Sequence, residues 1–143
     1  MEKLSPVGGV YQVDPMLGNP VVMAAGMATL NILKANQGIY DHINKLGEKL
    51  QNGIEDIARE KGIKLTVNRV GGMMTVFFTD RNPVRTYEDA KSCDLEMFRK
   101  YFLHMNKNGF NIPQSQFESM FLSAVHTEEH IDKFLETFKR FQP

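Results

Sequence analysis

Tryptophan is absent from this sequence, and cysteine occurs once, at Cys93. A single cysteine cannot form an internal disulfide, which is typical of a reducing compartment, so we expect a cytoplasmic location. An excess of either charge is also lacking, because 17 basic and 17 acidic residues give a formal net charge of +0 at pH 7. A broad nucleic-acid-binding surface needs an excess of clustered Lys and Arg, so no nucleic-acid partner is expected.

Long hydrophobic runs are missing as well. The longest apolar stretch, residues 20–27, is far too short to cross a bilayer, and residues 1–10 lack the apolar centre of a secretory signal. Those first ten residues also lack a capping signal, so we expect them to belong to the middle of a larger structure. The hydrophobic fraction of 42% is ordinary for a globular protein. We therefore expect a domain with its own core and no membrane partner.

A long helix is predicted near the N-terminus. Asn19 can cap the free N–H groups of a first turn, and Pro20 suits the first helical position. We predict a helix over residues 20–36, with Gly38 as its C-terminal stop. Its small residues and its apolar character on nearly every side are typical of a buried helix. This helix therefore needs partners on several faces, which we do not expect the 143 residues to supply in full.

The remaining sequence predicts an α+β fold, a small and mostly antiparallel sheet with helices packed on one face, preceded by the long linking helix. Apolar residues spaced three and four apart predict amphipathic helices, and β-rich runs between turn residues predict strands. Gly71 and Gly72 mark the turn of a hairpin. The predicted helices are Tyr40–Lys61, Leu95 to about Asn106 and Glu128–Phe141. The predicted strands are 65–67, 73–79, 110–112 and 120–124, with residues 80–93 as a loop.

No catalytic constellation is visible in the residues themselves. His126 and His130 are four apart, which is ligand spacing on a helix, but His126 precedes the predicted cap Thr127. The two would not share a helical face, so no metal site is predicted. Cys93 precedes a predicted helix, whose N-terminus could lower the thiol pKa, but no His is close in sequence to act as its base. A small thiol without a catalytic role is favoured. His42 and His104 are interpreted as surface residues.

Two further positions have an ordinary and a functional interpretation. Gly18, Asn19 and Pro20 place a turn at a helix N-terminus, where backbone N–H groups favour an anion, although a simple capped start is the more common arrangement. Glu118 stands in a polar loop between two predicted strands, where a lone carboxylate is usually solvated. Residue chemistry alone does not decide either case.

Six segments in order resemble the C-terminal third of the glutamate-1-semialdehyde 2,1-aminomutase family, over about Leu4 to Phe141. Each segment is weak evidence alone, and the series at matching spacing is specific. The segments are Val7-Gly8-Gly9-Val10-Tyr11-Gln12, Gly18-Asn19-Pro20 with Met23-Ala24-Ala25-Gly26, Asn68-Arg69-Val70-Gly71-Gly72-Met73, Phe77-Phe78-Thr79-Asp80, Ser115-Gln116-Phe117-Glu118 and Phe121-Leu122-Ser123-Ala124-Val125-His126-Thr127.

The resemblance implies the C-terminal small domain of a fold type I enzyme that uses pyridoxal 5′-phosphate (PLP). Members of this class III aminotransferase family form the tetrapyrrole precursor 5-aminolevulinate as cytoplasmic homodimers with active sites at the subunit interface. The resemblance also implies two parts, residues 1–38 as a large-domain segment with the linking helix and residues 39–143 as the small domain. The chain's partners would then be a second copy of itself, the large domain and a small-molecule substrate.

The resemblance assigns site residues one by one. Glu118 matches an acid at the active-site mouth that contacts substrate, with Ser115 beside it, and Gly18 and Asn19 match a loop near the cofactor phosphate. Pro15 stands where the family has a Thr whose hydroxyl reaches that phosphate, and Asp14 beside it adds a repelling charge. Both departures argue against phosphate binding through this loop.

The lysine that carries PLP as a Schiff base lies upstream in the family, in a Gly-rich motif that this sequence lacks. No catalytic residue is therefore assigned within the chain, and the chain alone is not expected to bind PLP or to catalyse. One hypothesis is that the chain is part of the aminomutase. The alternative is a degenerate, non-catalytic module that binds a partner or dimerises, which Asp14 and Pro15 favour.

Overall fold

The fold is that of a computed structural model, which describes residues 2–5, 7–10, 16 and 18–143. Contacts between Cα atoms divide the chain into two compact units, Met1–Gln37 and Gly38–Pro143. No helix among the described residues is both long enough and apolar enough to cross a membrane.

The first unit contains helix α1, Pro20–Ala35, which starts where the sequence predicts. The Asn19 side chain accepts hydrogen bonds from the N–H groups of Val21 and Val22 at 3.0 and 3.4 Å. The helix ends at Ala35 and Asn36 is its C-cap, so the prediction that Gly38 is the stop is wrong. No residue of α1 is buried. Its exposed large apolar residues are Val21, Val22, Met23, Met27, Leu30 and Ile32.

The second unit has the predicted α+β fold. Its elements are α2 (Gly38–Lys61), β1 (Thr66–Val70), β2 (Met73–Phe77), α3 (Tyr87–Lys91), α4 (Leu95–Lys107), β3 (Met120–Phe121) and α5 (Glu128–Lys139). The sheet is antiparallel throughout, in the order β1-β2-β3. The β1–β2 hairpin turns at Gly71 and Gly72, as predicted, and the φ angle of Gly71 is 60°. A positive φ at the first turn residue alone is the type II′ geometry that suits a two-residue hairpin.

The core lies on one face of the sheet, under α2, α4 and α5. Strand residues Val67, Met74 and Val76 are buried there, because alternate side chains of a strand point to the same face. The helices contribute residues at helical spacing to the same cluster, among them Leu46, Leu50, Ile54, Phe98, Tyr101, Met105, Ile131, Phe134 and Phe138. The opposite face is covered near Phe77 by a smaller cluster of Val84, Ala90 and Cys93.

Three local predictions are wrong. The segment 80–93 is not all loop, because Thr86 and Asp89 form a reciprocal capping box that starts the short helix α3. Residues 110–112 form no strand, since the Phe110 N–H bonds back to the Met105 carbonyl oxygen after α4 and Ile112 is buried in the core. The last strand ends at Phe121, and the sheet has three strands rather than four.

Candidate functional site

Glu118 lies in a tight turn that leads into β3. The Glu118 N–H donates to the Ser115 carbonyl oxygen at 3.1 Å, and the Phe117 N–H donates to Ser115 Oγ at 3.2 Å. Phe117 and Glu118 are both exposed, and Ser115 is half-buried. The Glu118 carboxylate has no hydrogen bond or ion pair with any residue that the structure describes. The turn therefore presents a free carboxylate to solvent.

Three neighbours of Glu118 connect the turn to the rest of the unit. Gln116 is 1% exposed, and its Nε2 donates to the Ala90 carbonyl oxygen at 2.6 Å. The Phe117 ring lies 5.7 Å from the Tyr87 ring, between centroids. The Ser119 hydroxyl lies 3.1 Å from the Thr75 hydroxyl of β2. Residues on both sides of Glu118 are thus held, although Glu118 itself makes only a backbone contact.

A cavity of about 710 Å³ opens beside this turn, within the second unit. Its walls are mostly apolar and come from α2, α5, the sheet and the segment after α4. Glu118, His126 and His130 are its ionisable lining residues, whereas Ser115 does not line it. Glu118 and the two histidines therefore line one cavity, although they are far apart in the roles that the sequence predicts for them.

The two histidines lie side by side, with ring centroids 6.0 Å apart. Their Nδ1 atoms accept from the N–H groups of Ser123 and Thr127, at 3.0 and 3.1 Å, so each neutral ring carries its proton on Nε2. His126 lies before the cap Thr127, as expected, so the two rings are close although they do not share a helical face. No group of three metal-ligating side chains exists in the described part of the chain.

The other histidines and the cysteine have structural contacts. His42 is exposed as expected, and its Nε2 donates to the His126 carbonyl oxygen at 2.8 Å. His104 is half-buried rather than a surface residue, and its Nε2 donates to the Thr137 carbonyl oxygen at 2.8 Å. Burial raises the pKa of the Cys93 thiol, and this effect outweighs the lowering by the Thr79 hydrogen bond and the Arg81 charge. A buried thiol of raised pKa fits the favoured non-catalytic role.

The residues assigned to the cofactor phosphate lie at the start of α1. Asp14 and Pro15 fall outside the described residues. The Asn19 side chain accepts the N–H groups of Val21 and Val22, and the Asn19 N–H donates to the Met16 carbonyl oxygen at 3.1 Å. Those donors are already used within the chain, so the described residues do not on their own form an open phosphate cradle. The assignment of Gly18 and Asn19 to the cofactor stays a prediction.

No family model matches the sequence. Individual relatives do match, and over nearly its whole length. The chain is 63% identical over 141 residues to the glutamate-1-semialdehyde 2,1-aminomutase of Clostridium botulinum strain Eklund 17B, covering 99% of this chain and 33% of that protein. Over nearly its whole length the chain is therefore similar to glutamate-1-semialdehyde 2,1-aminomutases. The aminomutase of Clostridium perfringens strain SM101 is 62% identical over 142 residues, with the same coverage. The chain thus spans about a third of the length of the aminomutases it matches.

Solved structures support the same fold. A β-phenylalanine aminotransferase from Variovorax paradoxus matches with a TM-score of 0.70 at 23% identity, covering 94% of this chain and 30% of that one. A structure described as a transaminase with PLP bound matches with a TM-score of 0.68 at 22% identity, covering 93% and 29%. The fold of this chain matches that of the C-terminal part of such enzymes.

The sequence did not predict that Gln116 is buried, nor the contacts that Phe117 and Ser119 make beside it. Glu118 and Ser115 were found through the aminomutase motif, and the structure places them in one turn. Gln116 lies in a polar loop without periodicity, so nothing local indicates that its side chain is buried. Its contact residue, Ala90, belongs to the helix α3 that the sequence analysis interprets as loop.

Proposed function

We propose that this chain is the C-terminal part of an enzyme that converts glutamate-1-semialdehyde to 5-aminolevulinate. The observation that carries the proposal is the 63% identity over 99% of the chain to an aminomutase of that name. The complete enzyme is a cytoplasmic homodimer in this proposal. Residues 1–38 contribute a large-domain segment and the linking helix, and residues 39–143 form the small domain.

PLP supplies the amino group exchange when it is bound in the complete enzyme, and the lysine that anchors it comes from outside this chain. The role of this segment is to place Glu118 and Ser115 at the mouth of the substrate site. An exposed carboxylate held by a hydrogen-bonded turn can accept a hydrogen bond or pair with a positive charge on a substrate. The segment alone is predicted to be inactive.

The test is a chimeric enzyme that joins the preceding two thirds of the Clostridium botulinum aminomutase to this chain. We expect the chimera to produce 5-aminolevulinate, and Glu118→Gln to lower kcat/KM about ten-fold, the loss of roughly one charge-assisted contact. Glu60→Gln is the matched control, because Glu60 is exposed in α2 and has no ion pair among the described residues. It should leave kcat/KM unchanged.

The alternative function, a non-catalytic binding or dimerisation module, predicts a different result. The chimera would then fold and assemble but form no product, whatever residue stands at position 118. If the chimera is active and Glu118→Gln has the same kinetics as Glu60→Gln, the proposed enzymatic function stands. The proposal that Glu118 contacts the substrate is then wrong.

A further inference from the structure

We infer that Gln116 is a positioning residue. Its buried amide holds the turn that contains Glu118 against the short helix α3. The inference about geometry concerns this chain alone. Its consequence for the reaction rests on the proposed function of Glu118. Neither the aminomutase motif nor the residue chemistry of the loop assigns a role to Gln116.

Burial differs sharply between neighbouring residues of the turn. Gln116 is 1% exposed, whereas Phe117 is 50% exposed and Glu118 is also exposed. An exposed turn has little packing to hold it, so a single buried side chain determines much of its position. Gln116 is that side chain in the segment between Pro113 and β3.

The Gln116 amide makes one hydrogen bond to a distant part of the chain. Nε2 donates to the Ala90 carbonyl oxygen at 2.6 Å, across 26 residues of sequence. Its Oε1 is buried and has no hydrogen-bond partner among the described residues. An apolar side chain of similar size would fill this space without leaving a polar atom unpaired. What the amide adds is a directional bond to one carbonyl group, and such a bond fixes orientation.

Helix α3 contacts the turn at two points. Tyr87 at the start of α3 contacts the Phe117 ring, and Ala90 near its end accepts from Gln116. The helix is itself fixed, because the Asp89 carboxylate accepts from the N–H groups of Arg85 and Thr86 at 3.2 and 3.1 Å. Glu118 follows Phe117 directly in the chain, so these two contacts determine where Glu118 lies.

The geometric test uses the full 143-residue chain. In the unmodified chain, we expect a scalar coupling across the hydrogen bond between Gln116 Nε2 and the Ala90 carbonyl carbon. Its absence would overturn the inference without any variant. In Gln116→Met, which keeps the size and removes the donor, the ¹⁵N order parameter of the Glu118 amide should fall from about 0.85 to below about 0.6. Gln142→Met, at an exposed glutamine, is the control and should leave it unchanged.

The functional test uses the chimeric aminomutase and a double-mutant cycle. Gln116→Met should lower kcat/KM about five-fold in the parent chimera and have almost no further effect in Glu118→Gln, because residues that act through each other are not additive. Effects that simply multiply would overturn the positioning role. If Glu118→Gln has no effect of its own, the proposed function of Glu118 fails, and the order parameter still decides whether Gln116 holds the turn.

Discussion

Tyr101 lies at the centre of the core of the second unit, and its hydroxyl is the part that fits least well. The side chain is 1% exposed, and its ring packs edge-on against Phe78 and Phe138 with centroids 5.6 and 5.7 Å away. The hydroxyl has no hydrogen-bond partner among the described residues. Burial raises its pKa well above the ordinary value, because the phenolate form would lose its hydration. The ring therefore stabilises the folded state, whereas the unpaired hydroxyl destabilises it.

Replacing Tyr101 with Phe should raise the free energy of unfolding by about 1 kcal/mol, because it removes a buried polar group that is not paired. Urea unfolding of the chain at neutral pH measures the change. Tyr101→Ala is the contrasting variant and should cost about 3–5 kcal/mol, since it leaves a large cavity. A loss of stability in Tyr101→Phe would show that the hydroxyl is hydrogen-bonded to a buried water.

Single residues also show which parts of the site could be predicted from the sequence. The Asn19 cap was predictable because capping depends on groups two and three residues apart. The role of Glu118 is predicted from its motif, and its place in a turn beside Ser115 is a local contact. Gln116 could not be assigned, because its role depends on Ala90, 26 residues away and on an element that had not been identified. Local rules find local contacts, and a buried polar residue in a loop needs the tertiary structure.

At the level of elements, α2 and α5 are joined by a cluster of ion pairs above their apolar contact. Lys45 lies 2.8 Å from Glu128, and Lys49 lies 2.6 Å from Asp132. Hydrogen bonding and charge from Lys45 lower the pKa of Glu128, and its place in the first turn of α5 adds the favourable helix dipole. Exposed pairs of this kind contribute little to stability and are screened by salt.

The contribution of Glu128 should depend on pH in one direction. Its folded-state pKa lies below its ordinary value of 4.5, so its stabilisation is present above pH 4.5 and is lost as the pH falls through the folded-state pKa. Glu128→Gln should therefore be less stable than the unmodified chain at pH 7, and the difference should shrink as the pH falls below 4.5. Thermal unfolding at pH 7 and at a series of pH values below 4.5, at low ionic strength, measures the trend. A difference that does not change with pH would mean that Glu128 acts by packing rather than by charge.

The elements differ in how far the sequence determined them. The long amphipathic helices were predictable because a 3.6-residue period over many residues is a strong signal. The strands were less so. The run 120–124 has β-rich residues, but only Met120 and Phe121 pair with β2, since strand length depends on the partner strand. Helix α3 has five residues and only its capping box as a local signal, which is too little for a period to show.

At the scale of the whole molecule, the two units differ in how they bury apolar surface. The unit Gly38–Pro143 has a continuous core with fully buried side chains. In α1, by contrast, Val21 is 77% exposed and Leu30 is 62% exposed, and no residue is buried. The expectation that α1 needs partners beyond these 143 residues stays a prediction. Burial of apolar surface contributes about 25 cal/mol per Å² to stability. A helix without buried residues therefore gains little stability from tertiary packing.

We therefore predict that amide hydrogen exchange divides the chain near Gly38. In a verified monomer, amides of α1 should exchange close to the unfolded rate, whereas core amides of α2, α4 and α5 should exchange only through global unfolding. A variant limited to residues 38–143 is the control, and it should keep both the core protection and the unfolding midpoint of the full chain. At higher concentration, α1 should gain protection in step with self-association, because exposed apolar patches drive association. Strong protection throughout α1 in the monomer would contradict the prediction and would mean that the helix has its partners within these 143 residues.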